Sequence, residues 1–101
     1  MTDEERLRAA ADIVLQQAPF LRSRGVLHAS IVGSVADKRA GSDSDLDILI
    51  HPDPQGHMTI YDLVDIRERL SDSYGSSVDV ISAGALTRRH RLFEETAIRV
   101  F

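Results

Sequence analysis

Alternation of polar and apolar residues at positions 45–48, followed by the apolar pair Leu49 and Ile50, constrains the fold of this chain more than any other feature. In a β-strand, neighbouring side chains point to opposite faces, so Asp45 and Asp47 share one face, whereas Leu46 and Ile48 share the other. This segment is therefore predicted to form a strand with one face in the hydrophobic core and the opposite face acidic.

Two further segments are predicted to form strands. Val26–Val32 is short and partly β-branched, and Gly33 follows it at once, as expected for a strand that ends at a turn. Residues 78–81 form a third short and mostly apolar segment. The prolines at positions 52 and 54 lack the amide hydrogen that a ladder needs, so the second strand is predicted to stop before residues 51–56.

Helical spacing of apolar residues marks the N-terminal segment. Its helix begins with the capping pair Thr2 and Glu5, and Pro19 is predicted to kink it or end it near Gln17. The apolar face of this segment is formed by Leu7, Ala10, Ala11, Val14, Ala18 and Leu21.

A second helix begins with a similar capping pair, Thr59 and Asp62, and is predicted to end before Tyr74. Its predicted apolar stripe comprises Ile60, Leu63, Val64 and Leu70. After Gly84, apolar residues again recur at helical spacing, so a third helix is predicted to reach the C-terminus. The residues on this seam are Leu86, Phe93, Ala97 and Val100.

This order of elements predicts an α+β fold in which helices pack on a small mixed β-sheet. The chain has 101 residues, 43% of them hydrophobic, which suffices for one core and leaves no room for two. We therefore expect a single domain over residues 1–101.

Charge and cysteine content disfavour several classes of protein. With 16 acidic and 12 basic residues, the net charge of −4 disfavours direct binding of nucleic acid. The chain has no cysteine, which excludes disulfides and thiolate zinc sites. The N-terminus is acidic and no apolar run is long enough for a membrane span, so a cytoplasmic protein is expected.

Pairing of the second and third strands would bring three carboxylates together. Asp79 stands between two valines, so its side chain is expected on the acidic face with Asp45 and Asp47. Carboxylates that converge must be neutralised, and oxygen ligands without cysteine or paired histidine suit a hard divalent cation such as Mg²⁺. Because Mg²⁺ commonly shares its coordination sphere with phosphate, the cluster implies a phosphorylated ligand.

Gly33 and Ser34 supply a candidate phosphate-binding turn. A glycine at a strand end lets the backbone approach a phosphate, and a serine adds a hydroxyl donor. The following residues can open a short helix whose N-terminal amides favour anions. The four histidines lack metal-ligand spacing, so none is assigned a catalytic role.

In combination, these residues resemble the minimal nucleotidyltransferase family of the DNA polymerase beta superfamily. The resemblance rests on Gly33-Ser34, on Asp45-Leu46-Asp47 after ten intervening residues, and on Asp79 in a later strand. It implies the nucleotidyltransferase fold and the transfer of a nucleoside monophosphate, AMP from ATP, to a hydroxyl group. It also implies that the three aspartates hold two Mg²⁺ ions, with Asp79 at the ion nearer the attacking hydroxyl.

The same resemblance assigns the nucleotide to Gly33, Ser34, Lys38 and Ser44. Many relatives carry an arginine after Gly-Ser and an Arg-Gly pair a few residues later. This chain departs from them, because Val35 and the pair Asp37-Lys38 stand at those places. Lys38 or Arg39 can replace the missing positive charge.

Stand-alone members of this family resemble the antitoxins of two-component modules, which implies a HEPN-type ribonuclease toxin as partner and a toxin tyrosine as acceptor of AMP. Two alternatives remain open. One is a noncatalytic antitoxin that neutralises its partner by binding alone. The other is transfer to a small molecule such as an aminoglycoside, for which this chain lacks an acceptor-binding domain. Because 101 residues form only one wall of a nucleotide site, we expect a partner or second protomer to complete it.

Overall fold

A computed structural model describes residues 2–36, 45–83 and 96–101 of the chain, and the structural statements that follow refer to these ranges. Four strands and four helices are present there. In chain order they are α1 Asp3–Gln16, α2 Ala18–Ser23, β1 Val26–Val32, α3 Gly33–Ala36, β2 Leu46–Pro52, α4 Ile60–Tyr74, β3 Val78–Ser82 and β4 Ile98–Arg99.

The strands form one mixed sheet in the order β3-β2-β1-β4. β1 is antiparallel to both β2 and β4, whereas β2 is parallel to β3. Parallel neighbours cannot be joined by a tight turn, and α4 supplies the crossover between β2 and β3. This arrangement confirms the predicted α+β fold with helices on a small mixed sheet.

The N-terminal helix is divided as the sequence predicts. The Thr2 hydroxyl accepts a hydrogen bond from the Glu5 amide at 3.1 Å, which caps α1. α1 ends at Gln16, and Pro19 lies in the first turn of α2, where the missing amide hydrogen breaks no helical bond. No helix in the described ranges combines the length and the apolar character needed to cross a membrane.

Both ends of α4 are fixed by local hydrogen bonds. The Asp62 carboxylate accepts from the Thr59 amide at 2.9 Å, and the Thr59 hydroxyl accepts from the Asp62 amide at 3.4 Å, which completes the predicted capping box. Gly75 ends the helix in the left-handed conformation, with φ of +83°, and donates its amide hydrogen to the Ser71 carbonyl at 2.9 Å.

The hydrophobic core lies between one face of the sheet and the helices. Its buried members on the strands include Val26, Ala29, Ile31, Leu46, Ile48, Ile50 and Val78. Ala10 and Val14 of α1 and Leu21 of α2 are also fully buried, as the predicted stripe of the N-terminal segment requires. Apolar faces on both layers therefore pack against each other and exclude water.

The predicted stripe of α4 is wrong at two of its four positions. Ile60 is 70% exposed and Val64 is 43% exposed, whereas Ile66 and Leu70 are fully buried. α4 has two overlapping apolar rows at helical spacing, and packing on the sheet selects the row that contains Ile66. Local spacing does not distinguish the two rows, so the choice depends on the position of the sheet.

The prediction of a helix that reaches the C-terminus is also wrong at its end. Ile98–Arg99 forms β4, which pairs with Ser30 and Ile31 of β1, and Val100 donates its amide hydrogen to Ala29 at 2.9 Å. Backbone groups of β1 on the side away from β2 thereby gain hydrogen-bond partners. The earlier part of the predicted helix, including Leu86 and Phe93, lies outside the described residues.

The second strand extends through Pro52, two residues beyond its predicted end. The paired part of β3 ends opposite Ile50, so the missing amide hydrogen of Pro52 breaks no bond between these strands. The next residue, Asp53, donates its amide hydrogen to the Gly25 carbonyl at 2.7 Å. Proline is tolerated at the end of β2 because β2 pairs there with β1 and no longer with β3.

We expect Leu70→Ala to lower the free energy of unfolding by about 2–5 kcal/mol, because it leaves a cavity at a fully buried position of α4. Leu15→Ala is the matched control, since the same atoms are removed from a side chain that is 55% exposed on α1. Leu15→Ala is expected to lower the free energy of unfolding by less than about 1 kcal/mol. Urea unfolding of both variants measures the difference, and equal losses would show that the core is placed incorrectly.

The capping box also predicts a dependence of stability on pH. The hydrogen bond from the Thr59 amide lowers the pKa of Asp62 below its ordinary value of 3.8, with help from the Thr59 hydroxyl and Arg24. Because the pKa is lower in the folded state, the stabilisation is complete above the unfolded value and is lost as pH falls through the folded value. Asp62→Asn should therefore destabilise the protein at pH 7 and have little effect well below pH 3.8. Urea unfolding across this pH range is the measurement, and a constant difference would contradict the prediction.

Candidate metal and nucleotide site

Asp47 and Asp79 are direct neighbours on the parallel strands β2 and β3. Register partners on adjacent strands lie about 5 Å apart and point to the same face of a sheet. Leu46 and Ile48, which alternate with Asp47, are fully buried in the core. The two carboxylates therefore leave the sheet on the face opposite to Leu46 and Ile48, and strand pairing brings them together as expected.

Asp45 is placed differently from the other two aspartates. It is exposed and lies immediately before β2, which begins at Leu46, so strand alternation does not set its side-chain direction. Within residues 2–36, 45–83 and 96–101, no three His, Cys, Asp or Glu side chains are grouped closely enough to hold a metal ion. The structure thus pairs Asp47 with Asp79 and leaves Asp45 at the entry to the same strand.

Gly33 lies beside the Asp47 carboxylate. It follows Val32, whose register partner on β2 is Asp47, and it adopts a φ of +75°, which side chains other than glycine rarely adopt. A Cβ atom at position 33 would lie 3.3 Å from Asp47 Cγ and closer still to Oδ2. Glycine at this position therefore satisfies two requirements, the backbone conformation and the space for the carboxylate.

The turn after Gly33 is anchored in the core. α3 is a single helical turn, and Val35 and Ala36 in it are both buried. Position 35, where the family resemblance leads us to expect arginine, is thus an apolar anchor in this chain. Ser34 belongs to the same turn by its backbone, whereas Lys38 and Ser44 lie outside the described residues.

A cleft of about 550 Å³ opens beside Asp79, between α4 and the start of β3. Its lining consists of Arg67, Glu68, Ser71, Asp72, Ser77 and Asp79. The α4 residues of this cleft were missed in the sequence because their proximity to Asp79 depends on the parallel pairing of β2 and β3. The right-handed rule for parallel crossovers is the signal that could have placed α4 there.

Two hydrogen bonds hold the start of β3 in position for this pairing. The Val78 amide donates to the Ser71 hydroxyl at 3.2 Å, and the Leu46 amide donates to the Ser77 carbonyl at 3.3 Å. Both bonds are made by residues next to the two aspartates in sequence. The end of α4 and the start of β2 thereby fix the register in which Asp47 faces Asp79.

Two of the four histidines lie together at the other end of the sheet. His28 and His51 are register partners with ring centroids 6.2 Å apart, and Arg99 Nη2 lies 2.9 Å from His28 Nδ1. His51 lies four positions after Asp47 in β2, which corresponds to about 13 Å along the strand. These histidines are therefore remote from the paired aspartates.

We expect Gly33→Ala to destabilise the protein more than Gly75→Ala does. Both glycines have φ near +80°, but a Cβ at position 75 meets no atom within 4 Å, whereas one at position 33 meets Asp47. Gly75→Ala, the control, should lower the free energy of unfolding by about 1–2 kcal/mol, which is the cost of placing alanine in the left-handed conformation. Unfolding free energies measure this, and the excess at position 33 should disappear in an Asp47→Ala background. Equal losses at the two glycines would contradict the close approach.

Comparison with known proteins identifies the family and the fold of the chain. Residues 11–99 match the family profile of the nucleotidyltransferase domain. A solved structure described as a minimal nucleotidyltransferase is 27% identical, with a TM-score of 0.72, and the match covers 97% of this chain and 95% of that one. None of the curated proteins matches the sequence at a significant level.

Two more distant structures share the fold. A toxin–antitoxin structure with AMP-PNP has a TM-score of 0.72 at 14% identity, over 90% of this chain and 72% of that one. A nucleotidyltransferase from Sulfolobus solfataricus has a TM-score of 0.59 at 18% identity, over 98% of this chain and 86% of that one. The sequence match over most of the chain and the shared fold lead to one conclusion: the chain belongs to the nucleotidyltransferase domain family and has the minimal nucleotidyltransferase fold.

Proposed function

We propose that this protein is a Mg²⁺-dependent nucleotidyltransferase that transfers AMP from ATP to a hydroxyl group of a partner protein. The observation that carries the proposal is the pairing of Asp47 with Asp79 on one sheet face, with Gly33 beside the Asp47 carboxylate. Membership of the nucleotidyltransferase domain family supports the reaction class.

The donor set suits the metal. Asp45, Asp47 and Asp79 offer only carboxylate oxygens, which Mg²⁺ prefers over nitrogen and sulfur ligands. We assign two Mg²⁺ ions to these three residues, with Asp79 nearer the acceptor. Asp47 and Asp79 are register partners, whereas Asp45 has to come closer to them than it lies in this structure. Bound Mg²⁺ would activate the acceptor hydroxyl and stabilise the charge that develops on the leaving pyrophosphate.

The turn after β1 is assigned to the triphosphate. Because Gly33 has no side chain, the Asp47 carboxylate lies directly against the backbone at the start of this turn, and the triphosphate is proposed to bind beside that carboxylate. Ser34, Lys38 and Ser44 are proposed to add hydroxyl and ammonium donors. In the reaction, the acceptor oxygen forms a bond to the α-phosphorus, the bond to the bridging oxygen breaks, pyrophosphate leaves, and the hydroxyl proton passes to solvent.

We further propose that the acceptor is a tyrosine of a HEPN-type ribonuclease toxin and that the chain is its antitoxin. Likeness in fold to a toxin–antitoxin structure that contains AMP-PNP supports this choice of partner. The cleft beside Asp79 is lined by polar and charged residues and is open to solvent, as expected when another protein completes the site. A reaction that consumes ATP and a ribonuclease partner both agree with a cytoplasmic location.

One observation favours a second candidate, an antitoxin that neutralises its partner by binding without catalysis. Val35 is buried where many relatives have arginine, so this turn lacks one cation that would contact the triphosphate. In this alternative the acidic face serves as a structural metal site or as a nucleotide site, without catalysis. The two candidates differ in whether neutralisation of the partner requires the aspartates.

The test is incubation of the purified protein with the product of the adjacent gene, labelled ATP and Mg²⁺. We expect label on the partner, and we expect Asp47→Asn and Asp79→Asn each to reduce the rate to below about 1% of wild type, because each removes a metal ligand. Asp12→Asn on the exposed surface of α1 is the matched control and should keep the full rate.

Three results separate the candidates. Label that depends on Asp47 and Asp79 supports the transferase. Neutralisation of the partner without label, unchanged in both variants, supports the noncatalytic antitoxin. Neither label nor neutralisation contradicts both. Mg²⁺ with ATP should also raise the melting temperature of the wild type, and to a smaller extent that of Asp47→Asn, because a ligand that binds the native state stabilises it.

A further inference from the structure

The start of α4 exposes an apolar patch that is not buried by the described part of the chain. Ile60 is 70% exposed, Tyr61 78% and Val64 43%, although other apolar residues of the same helix are fully buried. Next to the patch, a hollow of about 220 Å³ between α4 and β3 is lined by Ile60, Leu63, Val64, Arg67 and Val80. Contiguous exposed apolar surface of this kind commonly marks a contact with another molecule.

The hollow is next to the cleft beside Asp79. Arg67 lines both of them, so together they form one groove between α4 and β3, here called the edge groove. One end of the edge groove is apolar, and the other carries the carboxylates of Glu68, Asp72 and Asp79. The groove therefore connects an exposed apolar patch to a residue of the candidate active site.

The acidic end of the groove is not explained by the stability of α4. Asp72 lies in the last turn of α4, where a negative charge is unfavourable for the helix dipole. No basic residue is present in that turn to compensate. Asp72 lines the edge groove instead, which is consistent with a role in recognition of a positively charged partner.

The strand that borders the groove is open on its outer side. Within the described residues, β3 pairs with β2 alone and is the last strand of the sheet. A strand edge presents unpaired amide and carbonyl groups, which protein segments use for docking. β3 contains neither lysine nor proline, the residues that commonly block such an edge.

We propose that the edge groove is the docking site for the acceptor protein, an inference that rests on the proposed transferase function. The occupant is a protein segment with apolar side chains that cover Ile60 and Val64 and basic side chains that face Glu68 and Asp72. Docking in this position brings the segment next to Asp79, the aspartate assigned to the acceptor side of the reaction. The groove thus supplies the wall for the acceptor that the small domain otherwise lacks.

The charges of the groove favour this occupant over two others. RNA would bring phosphates against three carboxylates and one guanidinium, that of Arg67, and is disfavoured by the net negative charge of the groove. A second copy of the chain, which has a net charge of −4, would place an equally acidic groove against this one. A protein segment with an apolar centre and a basic end matches both halves of the groove.

The test compares the double variant Ile60→Gln and Val64→Gln with the matched control Leu15→Gln, which changes an exposed leucine on α1. Binding to the immobilised adjacent-gene product is measured by biolayer interferometry. We expect the double variant to bind at least about tenfold more weakly, since exposed apolar side chains at an interface centre contribute most of the affinity. The control should bind like the wild type, and both should keep the wild-type shift in melting temperature with Mg²⁺ and ATP.

A second arm tests the acidic end. Asp72→Asn should weaken binding at low salt and have less effect at high salt. At high salt the attraction between Asp72 and a basic side chain of the partner is already screened, so its loss changes the affinity little. Wild-type affinity in the double variant, or no change in Asp72→Asn at low salt, would overturn the docking site. Loss of self-association in the double variant with unchanged partner binding would also overturn it, in favour of a second copy.

The labelling and binding results together separate this inference from the proposed function. Transfer of label at equal rates by the wild type and the double variant overturns the docking site and leaves the transferase intact. Binding that depends on the edge groove without any transfer of label supports the docking site and contradicts the transferase. No binding by the wild type overturns the docking site.

Discussion

The parallel pairing of β2 with β3 is the interaction on which the candidate site depends. It places Asp47 opposite Asp79, and it is held by the crossover through α4 and by the hydrogen bond from Val78 to Ser71. A shift of one residue in this register would move Asp79 to the core face and bury its carboxylate among apolar side chains. The apolar residues that flank Asp79 therefore protect the site as well as the core, because they fix the register.

Local physics explains the part of the fold that the sequence reveals. Alternation around Asp47 determines which face of β2 is buried, and the capping pairs at Thr2 and Thr59 determine where two helices begin, because these signals act within a few residues. Long-range packing explains the rest. Which apolar row of α4 is buried depends on the sheet, and Ile98–Arg99 becomes a strand because β1 offers it a partner.

The same division between local signals and long-range packing applies to the candidate site. Asp47, Asp79 and Gly33 are visible in the sequence because each carries a local signature, a carboxylate between apolar strand residues or a glycine at a strand end. Val35 looked like a substitution in a phosphate-binding loop, whereas its side chain belongs to the core. The cleft beside Asp79 required the tertiary structure, since it joins residues of α4 to the start of β3. In the proposed function, this small domain builds one wall of the site and a partner protein supplies the opposite wall.

Paramagnetic relaxation by Mn²⁺, a substitute for Mg²⁺, tests the central claim most directly. In an amide correlation spectrum of the protein with a nonhydrolysable ATP analogue, substoichiometric Mn²⁺ should first broaden the signals of Gly33, Asp47 and Asp79, since these residues surround one point on the sheet face. The signals of His28 and His51, register partners at the other end of β1 and β2, should stay sharp at the same concentration. Broadening centred on another surface, or uniform broadening across the domain, would contradict a metal and nucleotide site between β2 and β3.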